Sequence, residues 1–225
     1  MKIKSILLSI LLLISLLSLS SCFETIEEIN LNNDGSGRMV LTFNGSQSKA
    51  KLASIMKLKS VNGHRVPSIP EINSELAQTA AQLKAIPGIS NVKTNADFQN
   101  YIISVSFDFK EVSQINQAFS KMLTAYKIPT YNAATYVYNK STKTFTKTYQ
   151  LNPATKKQYN ELKQEDKDVF KSAQYTSVYR FQSLVKSVAN AKASVSASKK
   201  AVMHKTPILN IVNSGASVNN SIQLQ

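Results

Sequence analysis

The chain is poor in the residues that would simplify its reading. It has one cysteine, two histidines, six glycines and six prolines in 225 residues, and 13 acidic side chains against 27 basic ones. A single thiol rules out an intrachain disulfide, so packing must supply the stability. Two histidines, His64 and His204, with few carboxylates near them in sequence, argue against a zinc set, and both read as surface residues. Sparse glycine and proline exclude a fibrous or disordered chain. There is no G-x-S-x-G elbow. The "GSGR" stretch at 35–38 lacks the GK[ST] ending of a phosphate-binding loop. "NLNNDGSGRMVL" mimics the first half of a calcium loop, but Leu41 stands where a bidentate glutamate is required. A glycine-rich hairpin turn is the expected reading there. The sequence therefore points to a non-enzymatic protein that needs no metal and no cofactor.

The apolar stretch Ile6 to Leu19 is interrupted only by serines. It is too short to span a bilayer comfortably, which takes about 20 residues, and it suits a secretory signal behind Lys2 and Lys4. The run Leu19-Ser20-Ser21-Cys22 resembles the bacterial lipobox. That resemblance implies a signal peptide over 1–21, recognition by the signal peptidase at Leu19, Ser20 and Ser21, and cleavage before Cys22. It also implies a diacylglycerol thioether on Cys22 and a palmitate-like acyl group on the new amino terminus. Two or more chains make membrane attachment stable. Phe23, in place of an aspartate that resembles an inner-membrane retention signal, points to the outer membrane. Glu24, Glu27 and Glu28 read first as the solvent face of an opening strand. They also resemble a surface-export signal, so the periplasmic or external face stays open.

Removing Lys2 and Lys4 leaves a mature chain, 22–225, of about +12. Such a body is attracted to anionic lipid or another polyanion. Nucleic acid is not expected, because no helix-turn-helix or RNP-like pattern appears. The lysines, including Lys49, Lys51, Lys140, Lys143, Lys147 and Lys156, are spread along the chain and read as solvated surface.

Alternating patterns predict strands at Thr25–Asn32, Arg38–Asn44, Tyr101–Phe109, Thr135–Tyr138, Thr144–Tyr149 and Tyr175–Gln182. Two short strands are expected within Lys192–Lys205, and Ser221–Gln225 closes the sheet. Helices are predicted from Ser46 or Ser48, from Pro70, over Glu111–Tyr126, and from the Asn152 cap to about Ser172, with "NGHRVPSIP" breaking the first. This is a single α+β domain: an antiparallel β-sheet built from hairpins, with about four helices packed on it. Tyr131, Tyr136, Tyr138, Phe145 and Tyr149 concentrate aromatics around one hairpin. They form a candidate ligand platform, against the simpler reading of a hairpin that buries one face.

Two stretches carry a family likeness. "CFETIEEINLNNDGSGRMVLTF" is similar to the opening of bacterial lipoproteins in which a lipidated cysteine precedes a strand, a D-G-S-G turn and a second strand. "YRFQSLVKSVANAKASVSASKKAV" is similar to their closing pattern. Both also resemble the LppM lipoprotein domain, which implies an α+β fold like that of lipid-binding helix-grip proteins and brings no catalytic residues. The expected function is binding or scaffolding in the cell envelope, with a hydrophobic ligand or an unknown protein partner. The alternative is a surface glycan- or host-binding adhesin. Cys22→Ser is expected to abolish incorporation of a labelled fatty acid and leave an uncleaved precursor; label entering the variant would overturn the anchoring expectation.

Overall fold

The computed structural model describes residues 23–125 and 134–225. Leu19, Ser20, Ser21, Cys22 and Tyr131 lie outside the described residues. The chain opens with a hairpin, β1 (Glu24–Leu31) and β2 (Gly37–Asn44), in full antiparallel register from Glu24↔Asn44 to Leu31↔Gly37. The "NNDGSG" turn closes through Gly35 N donating to Asn32 O and Ser36 N donating to Asp34 Oδ1. Gly35 has φ +86°, a conformation that favours glycine. A one-turn helix, Ser46–Ser48, leads into α1 (Lys49–Ile55). The helix ends at Ile55, ahead of the "NGHRVPSIP" stretch expected to break it, and a small hairpin follows, β3 (Ser60–Val61) and β4 (His64–Arg65), turning at Asn62-Gly63.

The next helix, α2 (Ile69–Lys84), begins in a capping box: Ser68 Oγ accepts from Glu71 N, and the Glu71 carboxylate accepts from Ser68 N. Strands β5 (Ile89–Asp97) and β6 (Ile102–Phe109) follow, then α3 (Ser113–Ala125). A second hairpin is β7 (Thr135–Asn139) and β8 (Thr144–Thr148). The helix expected from Asn152 to Ser172 is two helices, α4 (Pro153–Glu161) and α5 (Gln164–Asp168), because Leu162 turns extended at φ −62°, ψ 147°. The chain closes with β9 (Gln174–Phe181), β10 (Val185–Val188), β11 (Ser194–Val195), β12 (Ala201–Pro207), α6 (Ile208–Ser214) and β13 (Asn220–Leu224).

The architecture is α+β with antiparallel sheets, divided into two main layers where one sheet was expected. The larger has the order β11-β12-β9-β1-β2-β6-β5, and the smaller β10-β13-β8-β7. Strand β13 closes the smaller sheet between β10 and β8. One pair departs from the hairpin rule: β1 runs parallel to β9, with Glu27 opposite Ser177. The first strand of the body is thus the central strand of the large sheet.

Alternation gives that sheet two unlike faces. The outer face carries ion pairs between neighbouring strands, Arg38–Asp108 at 3.1 Å and Arg180–Glu28 at 2.8 Å, and one that reaches across β9 from β12 to β1, Lys205–Glu24 at 2.8 Å. The inner face buries Ile29, Met39, Phe107, Tyr179 and Val202. At one end it is covered by α2 and α3. At the other it meets the small sheet, where Phe145 packs on Tyr179 (ring centroids 5.0 Å) and Phe181 (5.9 Å).

Candidate functional site: a cavity with a charged floor

Where the two sheets diverge, α3, α4 and α6 leave a cavity of about 570 Å³. Its walls are almost wholly apolar. Phe119 and Leu123 come from α3, Tyr159 from α4, and Leu209, Ile211 and Val212 from α6. Helix α6 reads "ILNIVNS"; its apolar residues turn to the cavity, and Gly215 ends it in the left-handed conformation at φ +65°. Helix α4 is mostly polar, and it starts at the Asn152 cap, whose side chain accepts from Ala154 N. Phe170 adds a wall residue and packs edge-on against Tyr159 (6.0 Å) and Phe23 (6.0 Å). A second groove of about 530 Å³ has a different chemistry, edged by Thr146, Asn190, Lys192 and Asn219.

The floor of the apolar cavity is charged. Glu27 of β1 and Lys147 of β8 meet there, 2.8 Å apart, with side chains 5% and 3% exposed. Lys147 donates to Glu27 Oε2 and to the Tyr175 hydroxyl. Tyr175 donates to the same carboxylate oxygen at 3.0 Å, and Tyr179 donates to Oε1 at 2.6 Å. The ammonium also faces two rings, 4.7 Å from the Tyr175 centroid and 5.5 Å from that of Tyr136. Tyr136 is fixed from behind: Asn116 of α3 accepts from its backbone N–H and donates to its carbonyl, completing the edge of β7 as a neighbouring strand would. The Tyr136 hydroxyl is buried beside Glu27 but makes no aligned hydrogen bond among the described residues.

Burial by itself pushes the Glu27 carboxyl up. The Lys147 charge and the hydrogen bonds from Lys147 and the tyrosines outweigh it and hold the group below the ordinary carboxylate value. Burial, reinforced by the Glu27 charge, raises the phenols of Tyr136, Tyr175 and Tyr179 well above their usual value, so all three keep their protons. The floor is thus a neutral, hydrogen-bonded ion pair ringed by protonated phenols. A pair so engaged holds a polar group in place, with neither partner free as a base or nucleophile.

Three sequence expectations change here. Glu27 was grouped with Glu24 and Glu28 on a solvent face, but strand alternation turns it inward with Ile29 and Leu31. Lys147, read as a solvated lysine, alternates with Phe145 and is buried. His204, read as a surface residue, is buried on the inner face two strands from Glu27, opposite Ser177. Burial, with the Lys147 and Lys192 charges, lowers its affinity for a proton. His64 is exposed beside Asp166.

The aromatic platform is dispersed. Tyr136 and Tyr149 line the cavity, Phe145 lies beneath it in the core, and Tyr138 packs instead at the Gly35 turn. No exposed ledge forms from the described members, because Tyr136 and Phe145 point inward.

No family model matches the chain, and no curated protein matches it. Among solved structures, the NMR structure of the folded domain of Mycobacterium tuberculosis LppM is similar. It shares 11% identity over 90% of this chain and 89% of that one, with a TM-score of 0.43.

The depressed Glu27 carboxyl has a defined linkage sign. A carboxylate whose folded value lies below its unfolded one adds stability above the unfolded value, and that stability is lost as pH falls through the folded value. Glu27→Gln is expected to lose about 3–5 kcal/mol at neutral pH, as for other buried pairs deprived of one partner. The difference from wild type should narrow as pH falls below about 4.5, the ordinary glutamate value. Urea unfolding of both proteins across pH 3 to 7 checks this; a gap constant with pH would mean that the pair is not ionised.

Proposed function

We propose that this chain is a membrane-anchored envelope lipoprotein that carries or senses a hydrophobic molecule, without catalysing a reaction. The observation that carries the reading is the cavity. Its volume is in the range of small-molecule sites, its walls are apolar, and a few convergent polar groups sit at one end. An empty apolar surface of this extent would be costly to leave to water, and a chain-like ligand covers it.

The position of the first described residue supports the anchoring. Phe23 stacks on Phe43 (5.4 Å), and its carbonyl accepts from Gln174 N. It also touches Phe170, itself a wall of the cavity. Cys22 is bonded directly to Phe23. A lipid on Cys22 would therefore hold the cavity within a few residues of the bilayer, where an apolar ligand is concentrated. Among the described residues no helix is long and apolar enough to cross a membrane. The basic surface, about +12 on the mature chain, favours weak contact with an anionic leaflet. The outer membrane is the proposed site, on the strength of Phe23 following Cys22.

The test is what the full chain carries. Extracted from envelopes in mild detergent, washed and denatured, wild type is expected to release about one amphiphile per chain by mass spectrometry. Val212→Trp, which fills the cavity from α6, should release about tenfold less, a loss of about 1.4 kcal/mol in binding. Equal release from both, or none from wild type, would contradict the carrier reading.

A further inference from the structure

We infer that α1 and the turn after it, residues 49–59, form the face on which the anchored body lies against an anionic lipid leaflet. This rests on the anchored reading and names the surface it uses. The first ground is an apolar surface that the body leaves uncovered. Leu52, Ile55 and the capping Met56 follow one helical stripe, yet no residue of α1 is buried. Leu58, just past the helix, is 52% exposed, and Phe43 is 38% exposed. The second ground is place. Asn44, at the end of β2, pairs with Glu24 at the start of β1, so α1 follows at the end of the sheet nearest Cys22. A side-chain carbon at Gly45 would meet Leu52 Cδ1 at 2.6 Å and Phe43 Cε1 at 3.2 Å, so α1 packs beside Phe43. Phe43 in turn stacks on Phe23, the residue bonded to Cys22.

The third ground is charge. From Gly45 to Pro70 the chain carries Lys49, Lys51, Lys57, Lys59, His64 and Arg65 and no acidic residue. Lys51, Lys57 and Lys59 join no salt bridge among the described residues. Against these stand Asp97 beside Lys49, and Asp166 and Asp168 of α5 beside His64 and Lys51. Glu165, Asp166 and Asp168 are matched in number by Lys163, Lys167 and Lys171, with Asp168 and Lys171 paired at 2.8 Å, so the face stays basic. Lysines flanking an apolar stripe suit a membrane interface: their heads reach phosphate while the stripe meets acyl chain. Each such contact is weak alone. A tether one residue before Phe23 makes the contact intramolecular, and that selects the leaflet as the partner.

The chain has no tryptophan, so one placed on this face is a sole reporter. Leu58→Trp puts an indole where the side chain is more than half exposed. Val137→Trp is the control. Val137 is 53% exposed on β7, next to Tyr138, which packs at the Gly35 turn, the far end of β1 from Phe23. The full chain, purified with its anchor, is reconstituted on liposomes of acyl-dibrominated phosphatidylcholine and phosphatidylglycerol. Bromine quenches only an indole that reaches the acyl region. Leu58→Trp is expected to be quenched about fivefold more than Val137→Trp, the factor that one lysine beside an anionic leaflet supplies. Adding Lys57→Gln and Lys59→Gln to the Leu58→Trp chain should remove most of that difference. So should omitting phosphatidylglycerol, or salt at about 1 M, where the screening length falls to about 3 Å. Equal quenching of the two reporters on liposomes that carry the chain would overturn the face assignment and leave the anchored reading standing. Quenching of Leu58→Trp that ignores salt, lipid charge and the lysine changes would overturn the anionic leaflet as its partner. Chains that do not float with the liposomes at all would overturn both.

Discussion

The Glu27–Lys147 ion pair joins residues 120 positions apart in the chain and the two sheets that make the body. Each partner sits within a strand, with its side chain almost wholly buried. Burying two charges costs more than the attraction returns unless further hydrogen bonds complete the site. Here Tyr175 and Tyr179, both from β9, complete the carboxylate. Strand β9 can do so because it runs parallel to β1 in register, with Tyr175 level with Thr25 and Tyr179 level with Ile29, one step to either side of Glu27. The unusual parallel pairing and the satisfied charge are thus parts of one arrangement.

From that arrangement the cavity follows. Below the pair, Phe145, Tyr179 and Phe181 close the space between the sheets. Above it the sheets diverge, and the gap is walled by α3, α4 and α6. The polar floor and the apolar walls are consequences of where the dry core stops. Asn116, holding both backbone groups of Tyr136, keeps the remaining phenol turned to that boundary.

Much of the scaffold was legible because period-two alternation and cap residues are local signals. The opening hairpin, the strand ending at Phe109, the tyrosine hairpin and the Asn152-Pro153 helix start all follow from them. The break at Leu162 was not legible, since no glycine or proline interrupts 154–172. Helix α6 was missed although "ILNIV" before Gly215 is an apolar run with a stop residue. The site was hidden by charge itself. Extending the alternation of Ile29 and Leu31 back to Glu27, and of Phe145 on to Lys147, would have placed both inside, but each was assigned by its charge. What no local pattern shows is the partner of Lys147, because Glu27 lies in another hairpin. The β1–β9 pairing rests on contacts about 150 residues apart in sequence, beyond the reach of any local pattern.

A double-mutant cycle on Glu27 and Lys147, read by urea unfolding at neutral pH, tests the central claim most directly. If the buried pair organises the body, Glu27→Leu and Lys147→Met should each cost about 3–5 kcal/mol, because each strands an unpaired charge. The double substitution should cost less than either, because both charges leave together. Losses that simply add would contradict the account and show the two groups to be independent, solvated charges.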